Sequence, residues 1–237
     1  MRILVVQMTR LGDVVQTTPL LGALRRCYRD AQITLLIRPM GKAAAERIPG
    51  VDEVLVYDED RIFAGLRVCD SERLAAAFRE ADAFVRGLRD RRFDVAYNCT
   101  HSIASAMLLR LANVPRVVGA HMSEDWQFLV RGRWPNYFFT SALHRAYNDL
   151  NLCDLSGRFE EDAAPSRALA FTVTAEDRDE ASALLAEHRI AGEQRPIAVQ
   201  LGASDSMKRW PVEKFAAAVQ RLAAETGAPV VLLGVEG

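Results

Sequence analysis

One carboxylate in this chain stands where chemistry is commonly done. Asp13 follows Gly12 in MRILVVQMTRLGDVVQTTPL, just after a short run with the character of a buried strand, Ile3 to Val6. In open α/β sheets ligands gather outside the carboxyl ends of strands, and the scaffold holds side chains on the strand-to-helix loop there. A carboxylate so placed can act as a general base, taking the proton of a hydroxyl as its oxygen attacks. The competing reading is helix capping, with the carboxylate accepting from the N–H groups of Val15 or Gln16. Spacing alone does not separate the two. Gly12 beside it lets the backbone turn tightly or come close to a ligand. A second polar group, Asn98, Thr100, His101 and Ser102, follows another strand-like run and reaches the same side if the sheet is parallel. His101 reads equally well as a satisfied polar residue and as a ligand contact.

These side chains need elements to position them. Short β-branched runs alternate with helical stretches along the chain. Ile3–Val6 leads through a loop carrying Gly12 and Asp13 into a helix with Val14, Leu20, Leu21 and Leu24. Ile33–Ile37 precedes a helix around Ala43–Arg47, and Val54–Tyr57 leads through a charged loop into a long amphipathic stretch from about Ser71 to Arg89. Val95–Tyr97, a helix over Ile103–Leu111 closed by Pro115, and Val117–Val118 complete the series. Strands separated by helices argue for βαβ units and a mainly parallel sheet. From about Ser123 to Gly157 the pattern is irregular and rich in aromatics. Thr174 is placed to cap a helix with acidic residues in its first turn. The pattern then reads strand, loop, helix, strand, with Pro211 at the first turn of that helix. The two strand–loop–helix beginnings, at Ile3 and Ile197, predict an α/β chain with two Rossmann-like domains: residues 1–160, a linker and connecting helix over 161–195, and a second, incomplete domain over 196–237.

Composition removes several classes of function. The chain has 237 residues and a formal net charge of -1, so no global basic field argues for nucleic acid. Cys27, Cys69, Cys99 and Cys153 are scattered, without the spacing of a zinc site or a thioredoxin-type pair. Polar Gln7 and Arg10 interrupt the N-terminal apolar run, which does not read as a signal peptide. No stretch approaches the ~20 apolar residues of a membrane span. A cytoplasmic protein is expected. A nicotinamide-dependent oxidoreductase would carry G-x-G-x-x-G after the first strand, where this chain has M-T-R-L-G-D.

The combination ILVVQMTRLGDVVQTTPLLGALR, NCTHS and VQLGASDSMKRWPVEKF resembles the bacterial heptosyltransferases of glycosyltransferase family 9, in the right order over nearly the whole chain. The resemblance implies a GT-B architecture of two facing Rossmann-like domains with mainly parallel sheets and the active site in the cleft. It also implies an ADP-sugar donor, an anionic lipopolysaccharide-core acceptor and inverting transfer without a metal or other cofactor. Asp13 then matches the catalytic base. Lys208, with Ser204, Ser206, Arg209 and the N-terminus of the helix after Pro211, would stabilise the leaving diphosphate. Arg209 alternatively pairs with Glu213, and Trp210 reads as a packing anchor. Acceptor-side residues would be Gly12, Gln7, Asn98, Thr100, His101, Arg131 and Arg133, with Asn151 a further candidate. Arg131 and Arg133, near Trp134 and the aromatic run, suit an anionic lipid or the cytoplasmic face of the inner membrane. The alternative there is core aromatics and solvated arginines.

Gln7 departs from the Lys or Arg that many family members carry at this place. The chain also ends at VVLLGVEG, about a hundred residues before the family's second domain normally does, and Glu236 lies near the expected ribose-binding acid. A weak or inactive fragment is therefore expected. The rival outside enzymes is a non-catalytic sugar-nucleotide-binding or interaction domain.

Overall fold

A computed structural model of the chain describes residues 1–66, 70–100, 102–119, 168–190, 194–202, 207 and 209–234. The chain divides into two compact units, Met1–Thr172 and Val173–Gly237. The first is built on five strands: β1 (Arg2–Gln7), β2 (Gln32–Ile37), β3 (Glu53–Val56), β4 (Val95–Asn98) and β5 (Val117–Gly119). They pair in the order β3-β2-β1-β4-β5, every pair parallel. This is the α/β architecture that the alternating pattern predicts.

β1 is apolar on both faces because both faces are covered, as a parallel sheet requires. Ile3 and Val5 pack with Val14, Leu20, Leu21 and Leu24, whereas Leu4 and Val6 pack with Leu88, Leu109 and Val117. The first group lies on α1 (Leu11–Gln16) and α2 (Thr18–Cys27), which cover one face together with α3 (Lys42–Ala45). The other face is covered by α5 (Ser71–Asp90) and α6 (Ile103–Leu111), with α4 (Glu59–Leu66) packed beside α5.

Two local results differ from the sequence expectation. The charged segment before Ser71 holds a helix, α4, rather than only a loop. Its acidic Glu59 and Asp60 lie in the first turn, where they suit the helix dipole. In addition, Gly12 and Asp13 belong to α1 instead of preceding it, and the helical path is interrupted at Thr17 before α2 resumes. Pro19 accounts for the interruption, since it offers no N–H for the hydrogen bond that a continuous helix would make.

After the undescribed stretch, the chain returns along unit 1. The Ala170 N–H donates to Thr18 Oγ1 (3.0 Å) and the Thr172 N–H to the Arg47 carbonyl (2.8 Å).

The second unit contains α7 (Ala175–Glu187), β6 (Ile197–Gln200), α8 (Val212–Thr226) and β7 (Val230–Leu233). β6 and β7 are parallel and in register from Ile197 against Val230. Thr174 caps α7 as expected: its hydroxyl accepts from Asp177 N–H (3.1 Å), and the Asp177 carboxylate accepts in return from Thr174 N–H (2.8 Å). Pro211 occupies the N-cap of α8, one position before the first turn predicted for it. Trp210 just outside meets Phe215 edge-on at 5.3 Å, a hydrophobic staple that fixes the entry of the chain. Gly227 ends the helix with φ 63°, a left-handed backbone that glycine adopts without steric cost.

Candidate functional site

The strand order places a reversal between β1 and β4, and the crevice outside their carboxyl ends is where open α/β sheets bind ligands. Backbone bonds close the floor of this crevice beyond the ladder. Cys99 N–H donates to the Val6 carbonyl (2.8 Å), and Met8 N–H donates to Thr100 Oγ1 (2.8 Å). The Thr100 hydroxyl in turn donates to the Val6 carbonyl (3.3 Å). Thr100 is thus engaged with backbone on both sides.

Asp13 is the third residue of α1 and is half-buried. Its Oδ2 receives the Thr9 hydroxyl (2.7 Å) and the Arg10 N–H (3.3 Å). Capping therefore does occur, but not toward Val15 or Gln16. An acid at the third helical position reaches back to the amide that precedes the helix. Among the described residues none bonds to Oδ1. One oxygen is held and its twin is unbonded by any described residue, which suits a carboxylate that must keep its orientation while accepting a proton.

Behind Asp13 lies a buried polar relay. Gln7, the last residue of β1, has no exposed surface, and neither does Thr17. Gln7 Nε2 donates to Thr17 Oγ1 (3.1 Å), and the Thr17 hydroxyl donates to the Asp13 carbonyl (2.9 Å). On its other side, Gln7 Oε1 lies 2.6 Å from Thr9 Oγ1. Gln7 is buried behind the strand end and touches two threonines, Thr9 and Thr17. Gly12 is helical without a positive φ, and an added Cβ would meet no atom within 4 Å. The backbone does not turn tightly there, and the space beside it is open.

Asn98 ends β4 and has no exposed surface. Its Oδ1 accepts from Thr100 N–H (3.3 Å) and the Ser105 hydroxyl (3.0 Å), which ties the strand to the first turn of α6. Ser102 caps that helix by accepting from Ser105 N–H (3.1 Å). Gly119 on β5 suits this packing, since a Cβ there would sit tightly, 3.1 Å from the Asn98 carbonyl oxygen. Arg209 is exposed just before the staple of α8. His101, Arg131, Arg133, Asn151, Ser204, Ser206, Lys208 and Glu236 lie outside the described residues.

The same edge of the sheet carries a charged cluster that sequence reasoning missed. Tyr57 N–H donates to the Ile37 carbonyl (2.9 Å), extending the β2–β3 ladder, and its ring lies on Phe84 at 4.3 Å. Arg38 pairs with Asp60. Burial pushes the Glu59 carboxyl above the usual carboxylate range; Arg38 opposes that rise and Asp60 adds to it. Burial, aided by Glu59, raises the Tyr57 hydroxyl. Among the described residues there is no cluster of three or more His, Cys, Asp or Glu able to hold a metal, and no helix is long and apolar enough to cross a membrane.

Residues 82–236 match glycosyltransferase family 9 (heptosyltransferase). No curated protein matches the sequence. Among solved structures, a glycosyl transferase family 9 protein from Veillonella parvula DSM 2008 superposes with a TM-score of 0.74 at 22% identity, covering 98% of this chain and 62% of that one. E. coli ADP-heptose LPS heptosyltransferase II gives 0.68 at 20% identity, covering 99% of this chain and 64% of its own. E. coli heptosyltransferase WaaC with ADP-2-deoxy-2-fluoro heptose gives 0.68 at 17%, with coverages of 100% and 70%. The chain thus spans 62% and 64% of the length of the first two. At these identities the likeness establishes the shared α/β fold of GT-B type.

Proposed function

The chain belongs to glycosyltransferase family 9, the heptosyltransferase family, and we propose that it serves an inverting, metal-independent transfer of a heptose from ADP-heptose to an inner-core lipopolysaccharide acceptor. The observation that carries the mechanism is Asp13 near the sheet's reversal point, with Oδ2 held by Thr9 and Arg10 and no bond to Oδ1 from any described residue. In this reading the acceptor hydroxyl gives its proton to Asp13 as its oxygen bonds to the anomeric carbon. The bond from that carbon to the diphosphate breaks on the opposite face, and ADP leaves with the electron pair. Lys208, with Ser204, Ser206 and Arg209, offsets the charge that develops on the diphosphate.

An ADP-sugar donor is supported by the names of the E. coli relatives, one an ADP-heptose heptosyltransferase and the other bound to a fluorinated ADP-heptose. On the acceptor side, Gly12 offers open space, and His101, Arg131 and Arg133 supply polar and cationic contacts to an anionic sugar or lipid. Gln7, Asn98 and Thr100 shape the floor through the hydrogen bonds they already make. Arg131 and Arg133 also suit a peripheral contact with the cytoplasmic face of the inner membrane.

Calorimetric titration of ADP and ADP-heptose, followed by a transfer assay to a Kdo-bearing acceptor, tests this reading. Micromolar binding that Lys208→Ala weakens is expected. Asp13→Asn should leave donor binding intact and reduce transfer by about 10²–10⁴-fold, the usual contribution of a general base. A folded chain that binds neither nucleotide overturns the donor assignment. Binding without transfer selects the sugar-nucleotide-binding domain instead, and undiminished transfer by Asp13→Asn removes the base.

A further inference from the structure

We propose that the backbone at Thr172 and Val173 is a pivot between the two units, and that Thr18 is the pin that fixes where the pivot begins. The pivot is a property of the chain's own bonding and stands apart from the transferase reading.

The segment that resumes at Ala168 is fastened to unit 1 by two backbone N–H groups. Ala170 N–H donates to Thr18 Oγ1 (3.0 Å), and Thr172 N–H donates to the Arg47 carbonyl (2.8 Å). Both donors are backbone amides, which cannot accept, so neither bond can run the other way. The Thr18 oxygen has lone pairs for Ala170 whichever way its own hydrogen points. Thr18 is buried and opens α2, and Arg47 lies just past α3. The segment is therefore fastened to two helices that cover the same face of the sheet. The bonded residues alternate with Leu169 and Phe171, both about half exposed, as in an extended chain bonded along one edge.

Beyond Val173 the chain is fixed again at once. Thr174 N–H donates to the Asp177 carboxylate (2.8 Å), and the Thr174 hydroxyl accepts from Asp177 N–H (3.1 Å), so the capping box makes Thr174 part of α7. Only the backbone torsions of Thr172 and Val173 lie between the pinned amides of Thr172 and Thr174. Val173 makes no hydrogen bond to a described residue, and its side chain is half exposed. Turning these torsions breaks no hydrogen bond, whereas turning those of Ala170 or Thr174 does. The boundary between the compact units, Thr172 on one side and Val173 on the other, falls at this place. A few residues at the end of an element are enough to absorb such rotation. Both residues are β-branched and favour extended backbone, which limits its range.

The test uses the full chain labelled with nitrogen-15, free of ligand, in a dilute aligning medium. In the wild-type chain, residual dipolar couplings of Ala170 and Thr172 should fit the alignment of β1, β2 and β4. Those of α7 should fit a second alignment, shared with β6 and β7. One alignment common to both units overturns the pivot, and so does an Ala170 amide that follows α7. Thr18→Val removes the acceptor at nearly constant shape. It should speed exchange of the Ala170 amide by about two- to tenfold, the loss of one neutral hydrogen bond. The Ala170 order parameter should fall from about 0.85 to below about 0.6. Thr18→Ser should restore both. Unchanged Ala170 exchange in Thr18→Val removes Thr18 as the pin. Val173→Gly frees the backbone at an exposed site, so the two alignments should diverge further while Ala170 exchange stays as in the wild type. If Thr18→Val fails to fold, the wild-type couplings and Val173→Gly still decide. No readout involves a sugar nucleotide, so failure of the transferase reading leaves each of them standing.

Discussion

Glu59 carries a cost that its neighbours only partly offset. Burial disfavours its carboxylate and Asp60 adds repulsion, while Arg38 attracts it; the net effect is a carboxyl raised above its ordinary range. The sign for stability follows directly. The folded state holds this proton more tightly than the unfolded chain, so stability falls as pH rises between the unfolded and folded values. Glu59→Gln should therefore raise the unfolding midpoint at neutral pH, and the gain should shrink as the pH is lowered below the ordinary carboxylate range. A thermal melt series on both proteins reads this, and a gain independent of pH would show that burial of the charge is not the cause. Glu59 also illustrates what could be read in advance. Asp13 was legible because its position depends on local spacing after one strand. Thr9, Thr17 and Tyr57 were not, since their roles come from neighbours fixed by tertiary packing: Thr17 from the fold-back of Gln7, and Tyr57 from the β2–β3 register.

Among the elements, those with strong apolar periodicity or clear caps were the readable ones. β1, β2 and β4 are apolar runs of the right length, and the helix over Ile103–Leu111 lies where the spacing places it. α4 was hidden because its first turn is Glu59, Asp60 and Arg61, a charge run that usually marks a solvated loop. Its helix depends on α5: an added Cβ at Gly65 would come within 2.9 Å of the Ala77 Cβ, so the two helices approach more closely than a larger residue permits. Gly65→Val should push them apart and lower the unfolding midpoint, whereas the exposed Gly87, with no atom near an added Cβ, should tolerate Ala. α7 gives a cleaner measure of capping, because none of its residues is buried and packing cannot compensate. Thr174→Ala should destabilise this helix by about 1 kcal/mol. Faster exchange of the Asp177 amide, whose acceptor is removed, is the local readout, and an unchanged rate would mean that the reciprocal Asp177 bond alone holds the turn.

At the scale of the whole chain, burial is distributed unequally between the units. Every buried apolar residue among those described lies between Ile3 and Val118, while Leu232 on β7 is 55% exposed and Val212 on α8 is 77% exposed. Cooperative stability scales with apolar surface removed from water, so the two units should not open together. Native-state hydrogen exchange should find the slowest amides in β1, β2 and β4, and much faster exchange in β6, α8 and β7. A core lesion should follow the same division. Leu4→Ala removes a fully buried side chain and should cost about 2–5 kcal/mol, speeding exchange through the five-stranded sheet with little effect on β6 and β7. A ligand that binds only folded protein adds stability in proportion to its occupancy, about 2.7 kcal/mol at a hundredfold excess over Kd. If the donor diphosphate is held beside α8, saturating ADP should slow exchange in β6, α8 and β7 and leave β1, β2 and β4 nearly unchanged. Protection confined to the five-stranded sheet would move the nucleotide to the crevice that holds Asp13, and the assignment of Lys208 would have to be given up.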